Sequence, residues 1–154
     1  MTPFMGTHQN RLDAKGRVSI PAPFRAILRD AAPEGMAPAV VLRPSHRHDC
    51  IEAWPVADFH AMGDGLQSLD TFSEEQDDLT FSLFGMASEL IPDKEGRIVL
   101  PEQLAEHARL TDGVVFVGLR EKFEIWEPEA VKRRRAEAQE RARARNFTLP
   151  GRRP

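Results

Sequence analysis

Short apolar runs bounded by turn-forming residues dominate the chain. Runs of this length that are rich in β-branched and aromatic residues are typical of short strands. The predicted strands are His8–Leu12, Arg17–Ile20, Val40–Leu42, Ile51–Trp54, Arg97–Leu100, Val114–Val117 and Phe123–Trp126. Helical periodicity is confined to a few short segments and to the C-terminal region. The pattern therefore predicts a mainly β protein of the α+β class with short helices.

The helical segments begin at residues that favour helix starts. Pro21 precedes a predicted helix at Phe24–Ala32, and Pro101 plays the same part eighty residues later. Ser73 with Gln76 resembles a capping box and predicts a helix that contains Leu79, Leu83 and Met86. The remaining helical segments are Pro55–Met62 and a charged helix at Glu129–Arg145.

An internal repeat organises the strands. The sequence Asp13-Ala-Lys-Gly-Arg-Val-Ser-Ile-Pro21 returns as Asp93-Lys-Glu-Gly-Arg-Ile-Val-Leu-Pro101. Two further matches follow in the same order: Val40–Leu42 corresponds to Val114–Phe116, and Ile51–Trp54 corresponds to Phe123–Trp126. Three matches in one order indicate a duplication, and Trp54 and Trp126, which close the two copies, are expected to be core anchors.

The repeat predicts two packed modules. A module of about 45 residues with four short strands buries little core alone, so we expect the copies to bury each other. The expected fold is a β-barrel with pseudo-two-fold symmetry and interleaved hairpins. We place the first module at residues 7–54, a helical connector at 55–82, the second module at 83–126, and a charged helix with a tail at 127–154.

Composition places the chain among globular proteins, since 41% of its 154 residues are hydrophobic and 29% are charged. No apolar run reaches the roughly 18 residues of a membrane span. The N-terminus lacks the pattern of a signal peptide. The single cysteine, Cys50, excludes an intramolecular disulfide and fits a reducing compartment. These features predict a cytoplasmic protein.

Charge is distributed unevenly along the chain, although the net charge is only −3. Residues 1–128 hold 12 Lys and Arg against 21 Asp and Glu, a net −9, whereas residues 129–154 hold 9 against 3, a net +6. The first thirty residues contain five Lys and Arg and two Asp. Because local potential governs contact with a phosphate backbone, the acidic total does not exclude DNA binding.

The doubled sequence Asp-x-x-Gly-Arg-[Val/Ile]-x-[Ile/Leu]-Pro resembles the SpoVT-AbrB swapped-hairpin family. Phe4–Gly6 and Leu12–Arg17 are similar to members that carry two such domains in one chain, and the resemblance covers roughly residues 4–128. It implies a cytoplasmic, nucleoid-associated transcriptional regulator of the division and cell-wall gene cluster, with repression as the expected direction. It also implies an octamer-like homo-oligomeric ring that binds short G-rich direct repeats in promoter DNA.

The resemblance assigns DNA-binding positions to the two motifs. In the first motif, Lys15 and Arg17 match the basic DNA-contacting positions, and Arg11 lies just before the turn. We expect this edge to enter the major groove, where arginine binds guanine and lysine contacts phosphate. Asp13 and Gly16 are expected to brace the turn, because Asp accepts backbone hydrogen bonds there and Gly adopts positive φ readily.

The second motif departs from the first. Asp93, Gly96 and Arg97 repeat the turn, but Glu95 stands where the first copy has Lys15, and Lys94 restores a charge one residue earlier. We therefore expect the first copy to be the main DNA reader, with Arg97 and Lys94 contributing less. The alternative is that each Asp–Arg pair only locks its turn, which would explain why both copies keep it.

Other functions are less well supported by the sequence. An antitoxin-like protein-interaction module is the second hypothesis, although the tail is arginine-rich rather than acidic and apolar. A metal hydrolase is the third hypothesis, because several potential metal ligands cluster in the sequence. These ligands are His46, His48, Asp49, Cys50 and His60. Their spacing matches no zinc signature, so a polar loop is the better interpretation. We expect no enzyme, metal, cofactor, membrane contact or small-molecule substrate, and the arginines of the C-terminal helix are expected to form a solvated face.

Overall fold

The computed structural model describes residues 2–151. In the first copy, the elements are β1 (Phe4–Arg11), β2 (Arg17–Ser19), α1 (Ala22–Ala31), β3 (Val40–Pro44), β4 (Ile51–Pro55) and α2 (Val56–Gly63). A 3₁₀ turn (Asp64–Ser68), α3 (Glu74–Thr80) and a π-helical turn (Phe81–Gly85) follow. In the second copy, the elements are β5 (Ser88–Leu90), β6 (Arg97–Val99), α4 (Glu102–His107), β7 (Gly113–Arg120), β8 (Phe123–Trp126) and α5 (Pro128–Ala144).

The strands form a six-stranded antiparallel sheet in the order β1-β7-β8-β4-β3-β5 and a separate ribbon of β2 with β6. Exchanging each strand for its repeat counterpart (β1 for β5, β2 for β6, β3 for β7, β4 for β8) reproduces both orders in reverse. The axis of this pseudo-two-fold therefore passes between β4 and β8. The predicted class, two swapped-hairpin modules with a charged C-terminal helix, is confirmed.

The hairpins of the two copies are interleaved. β1 pairs along its whole length with β7 of the second copy, from Phe4 opposite Arg120 to Arg11 opposite Gly113. β2 pairs with β6, so that the two motif segments lie side by side. Because most ladders join strands of different copies, neither copy retains its sheet without the other.

The core lies between the inner face of the sheet and a cover made of the ribbon, α1 and α4. Alternate strand residues point inward, and Val18 and Ile98 of the ribbon meet them. An aromatic cluster joins the copies: the ring centroids of Phe4, Phe24 and Phe123 are 5.0–5.4 Å apart. Burial of these surfaces is the main stabilisation of the fold.

β1 begins at Phe4, four residues earlier than the predicted start at His8. Phe4 is 1% exposed and packs on Phe24. The sequence gives no local sign of this extension, since the strand owes it to pairing with β7. The predicted capping box forms only in part. The Ser73 hydroxyl accepts from the Gln76 N–H at 3.1 Å, as a capping box requires. The Gln76 side chain, however, accepts from the N–H of Phe72 at 3.2 Å instead of the N–H of Ser73.

Two helices cover the outer face of the sheet, one on each half. Val41, Trp54 and Phe59 form a small cluster beneath α2. Val131 of α5 packs on Trp126 in the corresponding cluster of the other half. Both tryptophans are buried, as predicted for core anchors. No helix within residues 2–151 is both long and apolar enough to cross a membrane.

Candidate nucleic-acid interface

The first motif folds into a turn that is held by one aspartate. Asp13 Oδ1 accepts the backbone N–H groups of Lys15 and Arg17, each at 2.9 Å, and Oδ2 pairs with Arg17 Nε at 2.7 Å. The backbone hydrogen bond from Arg17, and then its side chain, lower the pKa of Asp13 to about 2. Gly16 has φ +76°, a conformation that L side chains rarely adopt.

The second motif repeats this geometry closely. Asp93 Oδ1 accepts the N–H groups of Glu95 and Arg97 at 2.9 Å, and Oδ2 lies 3.0 Å from Arg97 Nε. The backbone hydrogen bond from Arg97 is the main cause of the lowered pKa of Asp93. Gly96 has φ +77°. The two turns are thus equivalent in their backbone and in their Asp–Arg pairs.

The structure brings the two turns together on one edge. The Ile20 N–H donates to the Gly96 carbonyl, and the Leu100 N–H donates to the Gly16 carbonyl, both at 2.9 Å. Arg17 and Arg97 lie two positions apart in the β2–β6 register and share the exposed face of the ribbon. We call Asp13–Arg17 and Asp93–Arg97, with this ribbon face, the twin-turn edge.

The two arginines differ in their neighbours. Within residues 2–151, the only acidic group within 4.0 Å of Arg17 is Asp13, whereas Arg97 pairs with Asp93 and also, at 3.2 Å, with Glu95. The side-chain hydrogen bond to Asp93 raises the pKa of Arg97. Arg17 is therefore the less neutralised of the two and the better placed to bind an anionic or acceptor-rich partner.

The remaining predicted basic residues are exposed around the twin-turn edge. Lys15 and Lys94 lie within the two turns. Arg11 is the last residue of β1 and lies opposite Gly113 of β7. All three side chains are open to solvent, which is the arrangement that contact with a phosphate backbone requires.

Arg25 of α1 is a further basic residue at the edge, and it was not singled out by the sequence. Its Nη1 donates to the Glu95 carbonyl at 2.6 Å, and its guanidinium occupies the space above Gly96. The repeat counterpart of Arg25 is Ala105, so the first turn has no equivalent cover, and a Cβ added to Gly16 would meet nothing closer than the Leu100 carbonyl at 3.9 Å. Comparing the repeats position by position would have revealed this difference.

Comparison with known proteins agrees with the duplicated architecture. Residues 3–82 and 83–148 each match the family described as "MraZ protein, putative antitoxin-like". The chain belongs to the MraZ family.

Relatives of MraZ type match almost the whole chain. The transcriptional regulator MraZ of Gluconacetobacter diazotrophicus is 57% identical over 150 residues, which are 97% of this chain and 93% of the relative. That of Gluconobacter oxydans is 56% identical, covering 93% and 87%. That of Rickettsia bellii is 41% identical, covering 91% of each. This member of the MraZ family is a transcriptional regulator, and the family is not a class of enzymes.

In the loop that contains His46 and His48, both histidines make hydrogen-bond contacts with other residues of this MraZ-family chain. His46 Nδ1 lies 3.0 Å from Arg43 Nη2, and the His48 carbonyl lies 3.1 Å from His107 Nε2. Burial, followed by nearby arginines, lowers the pKa of both His46 and His48. In the part of the chain that the structure describes, no three His, Cys, Asp or Glu residues are grouped as metal ligands.

Proposed function

We propose that the protein regulates transcription by binding promoter DNA sequence-specifically through the twin-turn edge. The observation that carries this proposal is the pairing of the two Asp–Arg turns on one exposed ribbon, with Arg17 paired only to Asp13 among the acidic groups of residues 2–151. A two-stranded ribbon fits the major groove of B-DNA. The two modules, at 7–54 and 83–126, would then form one DNA-binding surface.

The chemistry of the edge favours guanine. Arginine donates to O6 and N7 of guanine in a bidentate manner, and Arg17 is the residue that we assign to this contact. Asp13 fixes Nε, which orients the guanidinium without adding a second carboxylate to neutralise it. Lys15 and Arg11 are assigned to phosphates, which position the ribbon without reading sequence. Short G-rich promoter repeats are the matching operator.

The second turn is assigned a weaker contribution. The formal charges of Asp13–Arg17 sum to +1, whereas those of Asp93–Arg97 sum to zero because Glu95 replaces a lysine. Arg25 adds one positive charge to the second turn from α1. Arg97 and Lys94 therefore contact the phosphate backbone with the support of Arg25, and the first copy remains the main reader.

A closed homo-oligomeric ring completes the proposal. One edge that reads a few base pairs binds weakly, and the acidic body of the protein opposes binding further. Several identical edges on tandem repeats compensate through a high effective concentration. In this proposal the octamer-like ring acts in the cytoplasm on nucleoid DNA, and it represses the division and cell-wall gene cluster. The arginines of α5 are not assigned a contact with DNA in this proposal.

The test is a comparison of Arg17→Ala with Arg97→Ala. Both variants remove an equivalent Asp–Arg pair, so a role limited to turn locking predicts equal losses of promoter affinity. Direct guanine contact predicts a larger loss for Arg17→Ala, roughly 5- to 150-fold per repeat, since a bidentate contact is worth about 1–3 kcal/mol. Arg29→Ala, an exposed position on α1, controls for the loss of one charge. Unchanged affinity of a folded, assembled Arg17→Ala protein at physiological salt would remove this mechanism.

The ring is tested with operators of different length. A promoter fragment with several repeats should bind far more tightly than a fragment with one repeat, in a gel-shift titration at fixed salt. Equal affinity for both fragments would contradict the multivalent part of the proposal and leave the reading edge intact.

An antitoxin-like interaction with a partner protein is the second candidate. The description of the matching family supports it, since that description includes the words antitoxin-like. Purification of the untagged protein from its own cells distinguishes the two candidates. A stoichiometric protein partner that displaces promoter DNA would favour the antitoxin-like function, and its absence together with DNA binding would favour the regulator alone.

A further inference from the structure

The subunit is electrically polarised between its two outer helical regions. Residues 64–78 carry six Asp and Glu, and no Lys or Arg occurs between Arg47 and Lys94. Residues 128–145, which include α5, carry seven Lys and Arg and three Glu. The acidic region follows β4 and α2, whereas the basic region directly follows β8.

A cavity of about 370 Å³ lies beside α5 on the basic side. Its apolar lining includes Val117, Leu119 and Val131. Arg47, Arg134 and Arg135 also line it, and within residues 2–151 none of these three arginines has an acidic group within 4.0 Å. The cavity thus combines an apolar wall with uncompensated positive charge.

Two carboxylates in the lining do not cancel that charge. Glu52 and Glu124 are 5% and 6% exposed, and each lies 3.2 Å from Lys122 Nζ. Glu52 also pairs with buried Arg43 at 3.2 Å. The cations already neutralise these two acids, so the arginines remain available to an acidic partner.

The acidic region presents an apolar side chain suited to such a cavity. Phe72 is 96% exposed, the most exposed large hydrophobic residue of the described chain, and it lies between Asp70 and Glu74. Its backbone is fixed, since its N–H donates to the Gln76 side chain, whose amide donates in turn to the Leu66 carbonyl at 3.2 Å. The ring is therefore held out into solvent by an ordered loop.

We propose that the Asp70–Asp78 segment of one copy docks into the α5 cavity of a second copy. Phe72 fills the apolar part of the cavity, since about 150 Å³ is enough to hold a benzene ring. The acidic side chains around Phe72 pair with the unpaired arginines of the cavity. This inference rests on the ring assembly in the proposed function and names the surfaces that build it.

Head-to-tail docking of this kind produces a ring when the rotation between neighbouring copies closes, and an open filament when it does not. Each copy offers one acidic donor segment and one basic acceptor cavity, and in the ring of the proposed function the donor of one copy meets the acceptor of the next, which is a heterologous interface. Copies then add one after another until the rotation between neighbours closes the chain. A reciprocal two-fold dimer would also use both regions of each copy, so the mass of the wild-type assembly by light scattering distinguishes that dimer from a ring.

Two variants test the docking. Phe72→Ala/Glu74→Gln/Glu75→Gln damages the donor segment, and Arg134→Ala/Arg135→Ala damages the acceptor cavity. Each variant alone should be monomeric by light scattering at concentrations where the wild type is a ring. An equimolar mixture should form a 1:1 dimer and nothing larger, because one intact donor meets one intact acceptor.

Matched controls remove the same charges elsewhere. Glu102→Gln/Glu106→Gln on α4 and Arg141→Ala/Arg143→Ala on α5 lie outside the cavity lining and should leave assembly unchanged. Near-ultraviolet circular dichroism of the buried tryptophans shows that each variant is folded. Dimer formation in the mixture gives independent proof that both partners are native.

The outcomes separate this inference from the proposed function. Assembly of either variant alone into the wild-type ring overturns the docking but leaves the ring and DNA binding standing. A mixture of folded variants that stays monomeric also overturns it. A wild-type protein that is monomeric at every concentration overturns the ring, and with it the docking, whereas binding of a single promoter repeat through the twin-turn edge would be unaffected.

Discussion

Replacing Lys122 by Met tests the charged centre of the outer sheet face. Lys122 lies 3.2 Å from both Glu52 and Glu124, which are cross-strand neighbours on β4 and β8. Its side chain is 22% exposed, and those of the two glutamates are 6% and 7% exposed. The methionine keeps most of the volume and removes the charge that separates two buried carboxylates.

The expected loss of stability depends on which partners Glu52 and Glu124 keep after Lys122 is replaced. Removing one partner of a buried ion pair costs about 3–5 kcal/mol, because the other charge stays buried without compensation. Glu52 keeps Arg43 at 3.2 Å, whereas among the residues that the structure describes Glu124 keeps only the hydrogen bond from Trp126 Nε1 at 2.9 Å. We therefore expect the lower end of that range, about 3 kcal/mol, and a Tm lower by roughly 6–12 °C for a chain of this size.

Urea denaturation at a fixed subunit concentration is the assay, with tryptophan fluorescence as the signal. Lys132→Met is the control, since Lys132 pairs with Glu129 on an exposed helix surface and should change the free energy of unfolding by less than about 0.5 kcal/mol. Adding Glu124→Gln to Lys122→Met should recover much of the loss. A Lys122→Met protein within about 1 kcal/mol of the wild type would refute the reasoning.

The loss should also depend on pH. Burial raises the pKa of Glu52, but Lys122 and Arg43 outweigh it and hold this pKa below its ordinary value of 4.5. A depressed pKa contributes stability above the unfolded value, and the contribution is lost as pH falls. The variant lacks part of this contribution, so its deficit should be largest near neutral pH and should shrink below about pH 4.

Three other predictions follow from buried or strained positions. Gly96→Ala should destabilise the protein by about 0.5–1.5 kcal/mol more than Gly16→Ala in urea denaturation, because only the Gly96 Cβ would displace the Arg25 side chain and break its hydrogen bond to the Glu95 carbonyl. Both substitutions carry the same strain of positive φ. Equal losses would contradict the contribution of this hydrogen bond. Asp13 should titrate by NMR with a midpoint near its pKa of about 2 rather than the usual 3.8, so its stabilising contribution is complete above about pH 3.8 and is lost as pH falls towards 2. The Cys50 thiol is fully buried and its pKa is raised by burial, so it should react with a thiol reagent only at the rate of unfolding; fast reaction of the native protein would show that the outer face opens.

Local sequence was sufficient for the parts of the site that form within a few residues. The Asp-x-x-Gly-Arg turns follow from short-range chemistry, since Asp13 accepts amides two and four residues ahead. The recurrence of Asp93 and Arg97 at the same spacing predicted a second turn of equal geometry, which the structure contains. The repeat also predicted that two modules would share one core.

Contacts between distant segments could not be found in this way. Arg25 lies seventy residues from Glu95, and only the interleaving of the copies places it over the second turn. Phe4 joined the core for the same reason, because its strand depends on β7. Neither residue has a local pattern that marks its role.

The sequence by itself determined the duplication, the two turns and most of the short strands, because periodicity, turn chemistry and self-similarity act within a few residues. The start of β1 and the whole of β5 were not predicted, since both depend on pairing with distant strands. The tertiary structure decided which strands pair, which buried charges meet at Lys122, and which face of the subunit is acidic or basic. Those properties depend on the summed field and packing of segments far apart in the chain. They become visible only when the two copies fold around one another.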